Sequence, residues 1–72
     1  MKLINSTTER SQISASREEI SILNNALNEV CNGIDLFEFE TRMGADLERV
    51  SALLEEIHVI LNRMRSDVGT GG

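Results

Sequence analysis

Between residues 47 and 64 an apolar side chain recurs at almost every third or fourth position: Leu47, Val50, Leu53, Leu54, Ile57, Ile60, Leu61 and Met64. At about 100° per residue these eight share one stripe, roughly 120° wide or somewhat more, on a single long helix. The stripe has to be buried, and the chain has only 72 residues with which to bury it. A domain of this size draws only about 3 to 5 kcal/mol from one core. Neighbouring helices, or a second molecule, must therefore cover part of the stripe.

Two further helices are legible upstream. Ser16, Arg17, Glu18 and Glu19 match a capping box, in which the serine oxygen accepts from a free amide and the glutamate reaches back to the cap. The helix that follows places Ile20, Leu23, Leu27 and Val30 on one face, and Gly33 can end it in the left-handed conformation. A short second helix opens near Asp35, carries Leu36, Phe37, Phe39 and Met43 as its apolar side, and stops at Gly44. Asp46 caps the third helix, and Arg63 and Arg65 lie at its negative end. The expected fold is an all-α, three-helix domain (helices at about 17–32, 36–43 and 46–65), with helices one and three long and roughly antiparallel.

The ends differ from this middle. Residues 1–15 are polar apart from the first few and Ile13, and read as a flexible arm in which Lys2 to Asn5 could form a short strand. Residues 66–72 lack periodicity and bulk and read as a Gly-rich tail, fraying from about Ser66. The sequence has no apolar run long enough for a signal peptide or a membrane span, so the expected location is the cytoplasm.

The segment "FETRMGADLERV" (residues 39–50) resembles the helix-turn-helix pattern. With Gly44 as the turn, Phe39, Met43, Ala45, Val50 and Leu53 supply apolar residues at the required offsets, and the resemblance covers residues 36–56. It departs from the pattern at Glu40, where a small residue is usual. "LNNALNEVCNG" and "FETRMG" are also similar to segments of small bacterial helical proteins, over about residues 20–54. Neither resemblance assigns a role to any residue.

Charge argues against DNA. From Glu18 to Glu56 the chain holds ten acidic residues against Arg42 and Arg49, a net of −8. Nucleic-acid binding rests on phosphate neutralisation, and a groove-facing helix bearing Asp46, Glu48, Glu55 and Glu56 would be repelled. Six of the ten carboxylates sit near helix starts, where they serve the helix dipole; the remainder leave a negative field suited to a basic protein surface.

Little in the chain points to catalysis. Cys31 is the only cysteine and His58 the only histidine, too few for a disulfide or a self-contained zinc site. Glu55 and His58 have a Glu-x-x-His spacing, but with the stripe centred near Ile57 they point apart, so no metal or cofactor is expected. The expectation is a non-catalytic, acidic protein-binding module. In kind it resembles immunity proteins and antitoxins that block a basic partner. Glu40, Glu48, Glu55 and Glu56 are the candidate contacts, joined by Ile22 and Val59, which fall off the apolar stripes. A second expectation is a homodimer through the heptad-like seam containing Leu47, Leu54 and Leu61. The third is a helix-turn-helix regulator.

Overall fold

The computed structural model describes residues 1–71, with side chains through Met64. Its elements are β1 (Lys2–Ser6), β2 (Ser11–Ser14), α1 (Arg17–Gly33), α2 (Leu36–Met43) and α3 (Leu47–Gly71). α1 and α2 fall close to their expected bounds, while α3 starts as expected and runs past the expected end at residue 65 to Gly71. The fold is mostly helical but not all-α, because the amino-terminal segment forms an antiparallel hairpin where a flexible arm was expected. The expected tail falls on residues 66–72, of which the backbone to Gly71 continues α3 and the side chains lie outside those described.

The hairpin turns on a threonine. Thr7 N–H donates to the Arg10 carbonyl at 2.7 Å, and the Thr7 hydroxyl oxygen accepts from the amides of Arg10 at 3.0 Å and Glu9 at 3.3 Å. The side chain thus does locally what a glycine or asparagine turn more often does through the backbone. Leu3 pairs with Ile13 and Asn5 with Gln12, leaving Ile4 as the extra residue of a bulge. The ribbon packs on none of the helices and its apolar side chains stay exposed. Its tie to the helices is the amino group of Met1, which meets the Glu19 carboxylate.

The caps explain the helix starts. Ser16 and Glu19 form the reciprocal capping box: the Ser16 N–H donates to Glu19 Oε1 at 2.8 Å, and the Glu19 N–H to Ser16 Oγ at 3.1 Å. Asp46 Oδ1 accepts from the Arg49 amide at 2.8 Å at the start of α3. Asp35 makes no side-chain cap. Gly44, at φ 77°, takes the left-handed conformation that closes α2, and its N–H donates to the Glu40 carbonyl at 2.8 Å. Gly33 does not take that role: it is the last residue of α1, and extended Ile34 ends the helix.

α1 and α3 run antiparallel, since Cys31 near the end of α1 lies beside Ser51 near the start of α3, with Sγ and Oγ 3.8 Å apart. At the other end Arg17 and Ser21 lie beside His58 and Leu61. α2 packs on the first turns of α3 and buries Phe39, which is 1% exposed. Among the described residues only Phe39, Val50 and Leu61 are buried apolar side chains. The molecule is a slab of 46 × 30 × 16 Å with a radius of gyration of 14.4 Å, against roughly 11 Å for a compact chain of this length.

Candidate functional site

Two open depressions carry the expected contact residues. The first lies between α2 and α3 and is lined by Leu36, Phe39, Glu40, Asp46, Leu47, Glu48 and Ser51. The short turn after Gly44 brings Glu40, near the end of α2, and Glu48, in the first turn of α3, to the same cleft. Phe39 forms its floor and Leu36 stands exposed at its edge. Among the described residues, Glu40, Asp46 and Glu48 make no ion pair; only the Glu38–Arg42 pair, at 3.4 Å, and the Met1–Glu19 pair form. Asp46 already serves as the cap of α3, which leaves Glu40 and Glu48 as the uncommitted acids of the cleft.

The second depression follows the α1–α3 contact and is lined by Asn24, Asn28, Leu54, Glu55, His58 and Val59. It continues toward the start of α1, where Arg17, Glu18, Ser21, Ile22 and Asn25 border it. Asn28 is engaged locally: its backbone carbonyl accepts from Asn32 Nδ2 at 2.8 Å, and its Oδ1 accepts from the same nitrogen at 3.4 Å. Asn24 Oδ1 is buried against α3 and has no hydrogen-bond partner among the described residues.

Of the expected contact residues, Glu40 and Glu48 are brought together in the α2–α3 cleft, while Glu55, Val59 and, farther along, Ile22 share the α1–α3 groove. Glu56 lines neither. Ile22 and Val59 are exposed, as their places off the stripes imply. The seam residues Leu47, Leu54 and Leu61 lie on the side of α3 turned toward α1 and α2: Leu61 is buried and the other two are half-buried.

Two features were not anticipated. Phe37, placed with the apolar side of α2, is 96% exposed. Phe37 and Phe39 lie about 200° apart on a helix and cannot share a face, so the spacing itself carried the signal. The other concerns the rotation of α3. Leu54 and Leu61, not Ile57, point most directly at α1, which turns Leu53 and Ile60 outward and brings Glu55 and His58 into one groove. That pair gathers no third donor: no group of three His, Cys, Asp or Glu side chains able to hold a metal occurs among the described residues.

The Glu19 carboxyl is held below its ordinary range, chiefly by its bond to the amino group of Met1 and next by the Ser16 amide. No described helix is long and apolar enough to cross a membrane. No protein-family model, curated protein or solved structure matches the chain.

Proposed function

We propose that this chain is a non-catalytic, acidic protein-binding module. It takes a cation-rich segment of another protein into the α2–α3 cleft, in the manner of immunity proteins and antitoxins that occlude a basic partner. The observation that carries this reading is the pairing in one cleft of exposed Leu36 with the uncommitted carboxylates of Glu40 and Glu48. An apolar anchor flanked by acids suits a segment that alternates aliphatic side chains with lysine or arginine. The apolar contact supplies affinity, while the charges speed encounter and reject acidic competitors. Phe37, fully exposed on the adjoining face of α2, extends the apolar contact.

The test is photo-crosslinking from a probe at Thr41 in the native host, with mass spectrometry of the captured protein. The expected result is a polypeptide contacting through a basic segment. Its affinity should fall tenfold or more in the Glu40→Gln/Glu48→Gln variant, and again as salt rises from 50 to 300 mM. Capture of nucleic acid, or of a protein whose affinity ignores both the substitutions and salt, would overturn the proposal.

A further inference from the structure

The hairpin and the α2–α3 cleft lie at opposite ends of α1 and are patterned in opposite senses. In a ladder, cross-strand partners share a face and successive residues alternate between faces. Lys2 pairs with Ser14 and Asn5 with Gln12, while Leu3 pairs with Ile13 on the other side. The bulged Ile4, next to Leu3, falls on the Lys2 side. Arg10 continues that side, because it stands two residues before Gln12 and its carbonyl still pairs with Thr7. One face of the ribbon thus reads cation, aliphatic, cation: Lys2, Ile4, Arg10. Ile4 is 62% exposed, and neither cation forms an ion pair among the described residues. The one acid of the hairpin, Glu9, stands in the turn beyond the paired strands.

The cleft supplies the complement: exposed Leu36 over Phe39, with the uncommitted carboxylates of Glu40 and Glu48. We propose that the hairpin of a second copy of this chain seats its Lys2, Ile4 and Arg10 face in this cleft and holds it until a more basic partner displaces it. The inference rests on reading the cleft as a seat for cation-bearing segments. Charge complementarity is the first observation that selects this occupant, since free cations flanking an aliphatic side chain meet free acids beside one. Each chain carries one such face and one such cleft, so the two are always present in equal number.

Reach is the second. The 17 residues of α1 span about 25 Å, whereas Ala15 and Ser16, which join β2 to α1, extend over about 7 Å. The contact between Met1 and Glu19 also pins the base of the ribbon to the start of α1. Lys2 therefore cannot enter the cleft of its own chain. A twofold axis crossing the helices at mid-length seats both hairpins in both clefts at once, and the pair closes as an isologous dimer. Lack of support is the third observation. The ribbon packs on no helix and leaves Leu3, Ile4 and Ile13 exposed, although two strands alone are at best marginally stable in water. A neighbouring cleft provides the missing surface.

The experiment is sedimentation equilibrium at low salt under reducing conditions, with helicity followed by circular dichroism. The wild type should reach twice its 8.0 kDa chain mass. Lys2→Glu/Arg10→Glu and Glu40→Lys/Glu48→Lys should each weaken self-association by about tenfold or more. Mixed one to one, the two variants should restore a dimer containing one chain of each, because both contacts then join opposite charges. Should the cleft variant unfold, the wild type gives the answer directly: Lys2 is the one lysine of the chain, and carbodiimide applied to a mixture of nitrogen-14 and nitrogen-15 protein should join it to Glu40 or Glu48 of the other copy. A wild type that keeps its single-chain mass throughout, folded variants that stay apart when mixed, or Lys2 joined only within its own chain would overturn the proposal. A monomeric wild type whose probe at Thr41 still captures a basic protein removes this inference and keeps the cleft reading. A dimer joined through Lys2 that captures no other protein does the reverse.

Discussion

The two broad faces of the α1–α3 layer come from the same two helices, two residues out of step, and they offer opposite surfaces. On one side Leu23, Leu53 and Ile60 stand exposed; on the other, amides line a groove with Glu55 and His58. The contrast shows how a broad apolar stripe is divided in a very small protein. The 120° stripe of α3 is wider than one neighbouring helix can cover, so α1 takes the sector centred on Leu54 and Leu61. The sector containing Leu53 and Ile60 is left over. An amide-rich face thus lies opposite a bare aliphatic one on the same thin layer.

The largest expected effect comes from removing the residue on which both faces depend. Leu61→Ala should lower stability by about 2 to 5 kcal/mol, since Leu61 is only 9% exposed. Against the stability expected of so small a domain this should abolish the cooperative melt, and a thermal transition unchanged within 2 °C would contradict the packing described. Smaller and opposite in sign is Asn24→Leu at the polar margin. Removing a buried carbonyl oxygen that has no partner among the described residues should stabilise the fold by about 1 to 2 kcal/mol, read as a higher urea midpoint at unchanged slope. A fall in midpoint would mean that Asn24 is satisfied in solution and that the groove side is better packed than its exposure indicates.

The smallest effect concerns the border of the aliphatic face, where Glu19 ties the hairpin to α1. Its carboxyl is depressed in the folded state, so the stabilisation is fully present above the ordinary carboxylate pKa and is lost as pH falls through the folded value. Acidification from pH 6 to pH 3 should therefore lower the protection of the Leu3 and Ile13 amides relative to their intrinsic exchange rates, and Glu19→Gln should make that protection flat over the same range. Exchange at these residues that is independent of pH beyond intrinsic chemistry in the wild type would remove the tie.

Sequence alone reached the helices because their punctuation is local. Ser16 with Glu19, Gly44, and Asp46 each act on backbone groups within four residues, and all three behave as their chemistry requires. Gly33 misled because an extended Ile34 ends α1 equally well. The hairpin escaped notice because its two strands carry only Leu3, Ile4 and Ile13 as apolar cues, and its turn uses Thr7 where glycine or asparagine would have announced it. The candidate cleft was half legible: Glu40 and Glu48 were chosen for charge, but their meeting depends on the reversal at Gly44, and Leu36 was assigned to the core. The rotation of α3 could not be read, since a stripe of that width admits a centre at either Ile57 or Leu61.

A slab 16 Å thick also has a metabolic consequence. With so few side chains enclosed among the described residues, an isolated molecule should open more readily than a thicker fold, and its clearance by proteases should follow the population of open chains. Anything that docks on either flank closes those openings and lengthens the lifetime of the chain. Its cellular level should then report the presence of whatever it binds, falling quickly when synthesis of the binder stops.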